Sequence, residues 1–276
     1  QNRGFGRFRQ PSGDYSYIQI EHPFVETIHR HEEIRDFVKA FTREIANEDV
    51  LEMLHRGGPQ FLGPEKLSNL NYLAPNFEIP RRDRQLFYFK DKYWEINKDQ
   101  ILEKEYSSIT HQLWRDQVQD IMVQRTKQLL TVNRDDEEGY FSYSLSVDGR
   151  KCHYLQFLIN TSNFTWRKDK KKEDITSEER NENNAHLISK LCAIGYMMMS
   201  AKDKSVAKAV VGMDGKQSEV GDSNGRSGKS LLGNLFEEVK PSVYINGKYK
   251  DIESDSFLWD EVTVKTQIVF IDDVRT

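Results

Sequence analysis

Two features constrain the fold of this chain most. They are a glycine-rich stretch and, further along the chain, an apolar run that ends in two acids. Residues 221–230 read Gly-Asp-Ser-Asn-Gly-Arg-Ser-Gly-Lys-Ser. A phosphate-binding loop needs glycines so that backbone N–H groups converge on phosphate oxygens, a lysine as a point charge, and a Ser or Thr hydroxyl for Mg²⁺. Gly225, Gly228, Lys229 and Ser230 supply these parts. A helix predicted over residues 231–239 adds a dipole that favours phosphate, so the stretch predicts a nucleoside-triphosphate site.

The first glycine of this loop departs from the strict pattern. The pattern places a glycine five residues before Gly228, where this chain has Ser223, and the nearest glycines are Gly221 and Gly225. The first turn of the loop is therefore expected to differ in shape, while the Gly-Lys-Ser that binds phosphate is intact. A surface turn that happens to contain Gly-Lys-Ser is the alternative interpretation.

The apolar run argues against a chance match. Residues 267–271 are mostly β-branched or aromatic, which is typical of a strand buried on both faces of a parallel sheet. Asp272 and Asp273 follow directly, which places two carboxylates at the carboxyl edge of that sheet. Ligands bind at this edge in open α/β folds. The two half-sites thus stand in the order that a nucleotide site requires.

Composition sets wider bounds. A length of 276 residues favours about two domains. A content of 37% hydrophobic and 30% charged residues is that of a polar chain that can still build hydrophobic cores. The net charge of −4 gives no global sign of nucleic-acid binding, so any such surface must be local. Cys152 and Cys192 match neither a disulfide framework nor a zinc spacing, which favours the cytoplasm. No apolar run has the length of a membrane span.

Periodicity and turn residues predict the following elements along the chain. Helices are predicted within residues 31–73, with a helix ending at Gly57-Gly58-Pro59, and over residues 114–122, 186–200 and 257–260. Strands are predicted over residues 15–20, 205–212 and 242–244, as a hairpin over 86–96, and as a pair, 140–147 with 153–159, joined by a turn at Asp148-Gly149. A charged linker is predicted over residues 167–184.

Residues 1–10 combine three arginines with two phenylalanines and no acid. Arginine and aromatic groups together neutralise phosphate and stack on bases, so this segment is interpretable as an arm for a nucleic-acid backbone. The alternative is a frayed segment of an upstream domain. The aromatic residues of the two predicted strand pairs also allow two interpretations. Their rings can stack on single-stranded bases, or they can simply build a small core.

The motifs near the end of the chain resemble a known family. The run Asp222-Ser-Asn-Gly-Arg-Ser-Gly-Lys-Ser-Leu, then Phe257-Leu-Trp-Asp, then Ile268-Val-Phe-Ile-Asp-Asp-Val is similar to the superfamily 3 helicase module of the primase–helicases carried by phages and mobile elements. The resemblance implies an α+β pre-helicase region over residues 1–166, the linker over 167–184, and an α/β P-loop NTPase (AAA+-like) domain over 185–276. That domain is expected to be incomplete at its C-terminus, and both ends of the chain are expected to be cut from a longer protein.

The resemblance also assigns roles to individual residues. It implies that Lys229 contacts the β- and γ-phosphates, that Ser230 and Asp272 hold Mg²⁺, and that Asp273 polarises the attacking water. Asp273 stands where this family often has Glu, and its side chain is shorter. The remaining residues expected to line the phosphate loop, or to follow it directly, are Asn224, Gly225, Arg226, Ser227, Gly228 and Leu231.

These roles imply an ATP-dependent DNA helicase of a replication primase–helicase, in which Mg²⁺-assisted ATP hydrolysis drives movement on DNA, with single-stranded DNA as the expected partner. We expect the protein to form a homo-oligomeric ring, a hexamer by the resemblance, in the cytoplasm of a bacterial or phage-infected cell. No membrane contact is expected. The family's later sensor residue and arginine finger are expected beyond Thr276, so this chain alone is not expected to unwind DNA. Another P-loop ATPase or small-molecule kinase, or a nucleic-acid-binding module without catalysis, remain alternatives.

Overall fold

A computed structural model describes residues 4–10, 12–135, 137, 139–164, 170–203, 205, 208–213, 228–247, 254–255 and 257–272. The helices are α1 (His31–Glu44), α2 (Glu48–Leu62), α3 (Pro64–Leu67), α4 (Val147–Lys151), α5 (His153–Asn160), α6 (Ser177–Met198) and α7 (Lys229–Val239). The strands are β1 (Phe5–Arg9), β2 (Tyr15–Glu21), β3 (Phe24–Ile28), β4 (Gln85–Phe89), β5 (Tyr93–Ile96), β6 (Ile101–Lys104), β7 (Leu113–Trp114), β8 (Val118–Gln119), β9 (Leu130–Arg134), β10 (Phe141–Leu145), β11 (Ser242–Asn246) and β12 (Ile268–Asp272).

The chain forms two compact units. The first comprises Gln1–Ile79, Lys90–Glu95 and Ile101–Val118, and the second comprises Pro80–Phe89, Ile96–Gln100 and Gln119–Thr276. The phosphate-loop motif and the acidic strand both fall in the second unit. Among the described residues, the structure has no helix that is long and apolar enough to cross a membrane.

The first unit is built on a sheet in the order β1-β2-β3-β7, in which β7 runs parallel to β3. Alternation of side chains along β1 and β2 divides the apolar residues between the two faces of the sheet. One face packs on α1 and α3 through a cluster that includes Phe5, Ile34 and Leu67. The other face buries Ile18 and Trp114 with partly buried aromatic neighbours.

The second unit places α7 against β4, β11 and β12. Strands β11 and β12 are parallel, with Ser242 opposite Ile268 and Asn246 opposite Asp272. In open α/β folds, ligands bind outside the carboxyl ends of parallel strands that have helices packed on them. In the same unit, β9 and β10 pair antiparallel, and α6 packs on β10 and α5.

Several sequence predictions are confirmed at the level of elements. Strands form at Tyr15–Glu21 and at Ser242–Asn246, both strands of the predicted aromatic hairpin form, and helices form at Lys229–Val239 and within residues 31–73. The acidic strand forms at Ile268–Asp272. Within α2, Gly57 has a non-helical φ of −129° and ψ of 21°, so Glu48–Leu62 is two helices joined by a kink. The prediction that a helix ends at Gly57-Gly58-Pro59 is confirmed at Gly57, and a second helical segment runs from there to Leu62.

Other predicted elements are wrong. Residues 114–122 do not form the predicted α-helix. Leu113–Trp114 pairs with β3 as a short strand, Arg115–Gln117 forms a single 3₁₀ turn, and Val118–Gln119 is strand β8. Residues 153–159 lie in helix α5 instead of a strand, and the predicted turn at Asp148-Gly149 lies in α4. Residues 257–260 form turns, and the described part of 205–212 forms no strand. Residues 5–9 form strand β1, so this part of the chain is not a frayed end.

The α6 helix begins nine residues before its predicted start, inside the segment interpreted as a linker. Its start is fixed by a capping box, in which the Thr176 hydroxyl accepts a hydrogen bond from the Glu179 N–H at 3.2 Å and the Glu179 carboxylate accepts one from the Thr176 N–H at 3.0 Å. Such reciprocal bonds satisfy two backbone donors that a helix start leaves unpaired. The helix therefore starts where the capping residues stand, and the apolar stripe follows later.

Candidate nucleotide-binding site

The start of α7 carries the Gly-Lys-Ser motif. Gly228 is the N-terminal cap residue, with φ of 84° and ψ of 13°, a left-handed conformation that residues with a side chain rarely adopt. Lys229 and Ser230 form the first turn of the helix. The first backbone N–H groups of a helix have no partner within the helix and point outward, and together with the dipole they favour an anion. The local geometry is therefore that of an anion site with a lysine beside it.

The end of β12 brings a carboxylate to this helix start. The Ser230 hydroxyl donates a hydrogen bond to Asp272 Oδ2 at 2.6 Å, across 42 positions of sequence. The contact joins the two half-sites that the sequence predicted separately. A hydroxyl and a carboxylate at hydrogen-bond distance are the kind of hard oxygen donors that bind Mg²⁺ together with phosphate oxygens.

Tyr244 completes this group of side chains. Its hydroxyl also donates to Asp272 Oδ2, at 2.6 Å, from the neighbouring strand β11. Its ring stacks on Phe270, with centroids 5.6 Å apart and planes inclined by 25°. Two hydroxyl donors on one oxygen fix the orientation of the Asp272 carboxylate. Sequence reasoning missed Tyr244, because its role depends on which strand lies beside β12.

Close packing of α7 on β12 sets these distances. A Cβ at Gly233 would lie 2.9 Å from the ring of Phe270, so only glycine lets the helix approach the strand this closely. Phe236, one turn further on, is 2% exposed. Gly233 thus sets how closely α7 packs on β12, the strand that carries Asp272.

Helices α5 and α6 contribute to the same region. A Cβ at Gly228 would lie 2.7 Å from the Phe157 ring and 3.4 Å from the Thr161 methyl group, so the cap residue of α7 packs on the end of α5. Lys190 of α6 donates to the Thr161 carbonyl at 2.6 Å and to its hydroxyl at 3.0 Å. Burial lowers the pKa of Lys190 to about 8. Sequence reasoning did not single out Lys190, because nothing in its spacing shows that α6 crosses the end of α5.

The other predicted site residues fall into those that the structure describes and those that it does not. Leu231 follows Ser230 with its side chain 51% exposed. Lys229 is half-buried, and its Cδ lies 3.8 Å from the position of a Cβ on Gly212. The remaining candidates lie outside the described residues: Asn224, Gly225, Arg226, Ser227 and Asp273. Within the described part of the chain, no group of three or more His, Cys, Asp or Glu side chains is arranged to hold a metal ion.

A buried lysine lies beyond the far end of α7. Lys240 is 3% exposed, donates to Ser200 Oγ at 2.9 Å and Gln267 Oε1 at 2.8 Å, and lies 4.4 Å from the centroid of the Phe87 ring. Burial, and then the charge of Lys202, lower the pKa of Lys240 from 10.5 to about 8. These contacts fix the C-terminal end of α7, opposite the end that carries Gly228 and Lys229.

Because the pKa of Lys240 is lowered by folding, we expect stability to rise with pH. Between the folded and unfolded pKa values the unfolded chain binds more protons, so the free energy of unfolding increases as the pH rises. From about pH 7.5 to about pH 9.5, Lys240 is expected to contribute about 2 kcal/mol of this rise. Urea denaturation at both pH values should show that Lys240→Met loses this part of the rise. The exposed Lys98→Met should keep it, and equal pH dependence in both variants would refute the assignment.

Comparison with known proteins finds no matching family model, curated protein or solved structure. The case for a function therefore depends on the geometry described above and on the resemblance of the motifs.

Proposed function

We propose that this chain carries the nucleotide site of an ATP-dependent DNA helicase of the primase–helicase type. The observation that carries the proposal is the Ser230–Asp272 contact of 2.6 Å. A chance Gly-Lys-Ser turn has no reason to begin a helix packed on two parallel strands and to contact the acid at the end of one of them. Both features are expected of a P-loop site.

Each described residue has a definite role in this proposal. Lys229 holds the outer phosphates as a point charge, and the backbone N–H groups at the start of α7 add further donors. Ser230 and Asp272 fit Mg²⁺, which supplies charge that neutralises phosphoryl oxygens. Tyr244 keeps the Asp272 carboxylate in the orientation in which it faces Ser230. The site thus concentrates positive charge where negative charge develops during phosphoryl transfer.

The wider parts of the proposal depend on the resemblance. These are polarisation of the attacking water by Asp273, movement along single-stranded DNA, and assembly into a ring, with a hexamer as the expected form. They predict a cytoplasmic replication enzyme in which ATP hydrolysis drives movement on DNA.

Binding of ATP with Mg²⁺ to the full chain, measured by titration calorimetry, tests the proposal. Lys229→Ala is expected to weaken binding by about 100-fold, or about 3 kcal/mol, because a charge-assisted contact to phosphate is lost. Lys98→Ala removes an exposed lysine in a turn of the same unit and should leave the affinity unchanged. Chelation of Mg²⁺ should weaken binding to the wild type.

Two outcomes would count against the proposal. ATP binding that is equal in wild type and Lys229→Ala would place the nucleotide elsewhere. Absence of ATP binding by the wild type, combined with DNA binding that survives Lys229→Ala, would support a nucleic-acid-binding module without catalysis.

A further inference from the structure

An exposed cluster of aromatic and basic side chains lies on the first unit, whereas the site described above belongs to the second. In β1 and β2, Arg9 is paired with Tyr15 and Arg7 with Tyr17. Side chains at these paired positions share one face of the sheet with Phe5. At Phe5 this face is covered by α1, since the Phe5 and Phe37 rings are 4.7 Å apart. Towards the turn between the strands, Arg9 and Tyr15 are exposed.

Tyr72 joins the cluster from the other side of β1. Residues 71–73 run beside β1, with the Arg7 N–H donating to the Asn71 carbonyl at 2.9 Å and the Leu73 N–H donating to the Arg7 carbonyl at 2.8 Å. These bonds make Tyr72 the bridge partner of Arg7. The rings of Tyr15 and Tyr72 meet edge to face, with centroids 6.4 Å apart and planes at 88°.

Arg7 is held in place within this cluster. Its Nε donates to the Leu70 carbonyl at 2.8 Å, and its guanidinium carbon lies 5.4 Å from the centroid of the Tyr15 ring. The surface is therefore ordered before any partner binds. An ordered side chain loses little conformational entropy on binding.

The exposure of the two rings is what requires explanation. Tyr15 is 57% exposed and Tyr72 is 52% exposed, although the two lie side by side. Exposed aromatic rings next to arginines combine faces on which bases stack with charges that neutralise phosphate. The turn that connects β1 and β2 also contains an acid, Asp14, whose carboxylate accepts a hydrogen bond from the Ser12 hydroxyl at 3.1 Å.

We infer that Tyr15, Tyr72, Arg7 and Arg9 form a binding surface for single-stranded nucleic acid. Single strands are the ligand, because the bases of a duplex are stacked on one another and present no free faces to a tyrosine. The surface reads no sequence, since every base has a face that stacks. The inference rests on the proposed function only in taking the strand to be DNA, and it locates that contact in the first unit.

The test is fluorescence anisotropy of the full chain with labelled oligo-dT and without nucleotide. An oligomer of about 20 nucleotides exceeds the usual binding site of about 4–16 nucleotides. Tyr15→Ala and Tyr72→Ala should each weaken binding about tenfold, and Tyr15→Phe should restore it, because stacking needs the ring and not the hydroxyl. Tyr140→Ala is the matched control, because Tyr140 is 45% exposed and lies in the second unit.

The salt dependence separates the two kinds of contact. Arg9→Ala should reduce the slope of log affinity against log salt by about 0.7, the value for one phosphate contact on a single strand. Arg180→Ala, which removes an exposed arginine of α6, should leave the slope unchanged.

Absence of oligo-dT binding by the wild type would overturn the inference, as would wild-type affinity in the Tyr15→Ala, Tyr72→Ala double variant. In both cases the ATP titration of the same proteins remains informative, because these tyrosines lie in a different unit from Lys229. Failure of this surface and failure of the nucleotide site are thus distinguishable.

Discussion

Gly228→Ala is expected to abolish ATP binding and to destabilise the chain. The φ of 84° at Gly228 lies in the left-handed region, which costs a residue with a side chain about 1–2 kcal/mol. The new methyl group would also lie 2.7 Å from the Phe157 ring, so α7 or α5 must move. Either movement changes the position of Lys229 and of the N–H groups beside it. Calorimetric titration with ATP and Mg²⁺, together with urea denaturation, measures both effects.

A glycine in α6 provides the matched control. A Cβ at Gly195 would meet nothing within 4 Å, and this residue lies inside the helix. Gly195→Ala should therefore stabilise the chain by about 0.5–1 kcal/mol and leave ATP affinity unchanged. If Gly228→Ala behaves like Gly195→Ala, the left-handed cap is not part of a phosphate site.

Local sequence was enough to predict the elements that form the candidate site. The helix after Gly-Lys-Ser and the strand before Asp272 each have a short-range signal, namely an apolar face or an apolar run next to a special residue. That the two elements belong to one site was expected from the order of the two motifs along the chain. The distance between Ser230 and Asp272 required the structure, since it depends on the close approach at Gly233.

Elements that depend on distant partners were predicted wrongly. Leu113–Trp114 is a strand only because β3 lies beside it, and no local pattern contains that information. Residues 153–160 are a short apolar run, for which periodicity distinguishes helix from strand poorly. In the structure, Leu155 and Leu158 are both buried, and their separation of three residues is the spacing of a helix. Tyr244 was missed for a related reason, because its contact with Asp272 is set by the register of two parallel strands.

The start of α6 has a signal in the local sequence, but the prediction did not use it. Thr176 followed by Glu179 is a capping-box signature, which by itself predicts a helix start. The many charges around it favoured an interpretation as linker. The apolar residues of this helix are concentrated after Leu187, so periodicity alone placed its start too late.

Phe236→Ala is expected to be among the most destabilising single substitutions in the second unit. The side chain is 2% exposed and lies where α7 packs on the sheet, so its removal leaves a cavity that costs about 3–5 kcal/mol of unfolding free energy. Leu231→Ala is the control on the same helix, because the Leu231 side chain is 51% exposed and should cost less than about 1 kcal/mol. Urea denaturation of both variants without nucleotide gives the comparison.

The same variant links the stability of α7 to the nucleotide site. A ligand that binds only the folded chain stabilises it by an amount that grows with ligand concentration, so ATP with Mg²⁺ should raise the unfolding midpoint of Phe236→Ala. Because the loss of Phe236 loosens the helix that carries Ser230, this rise should be smaller than that of the wild type at the same concentration of ATP. A stability loss no larger than that of Leu231→Ala would show that α7 is not fixed by Phe236. An undiminished rise in the midpoint would show that Ser230 keeps its place beside Asp272 without that contact, and that the close approach at Gly233 is sufficient to hold the site.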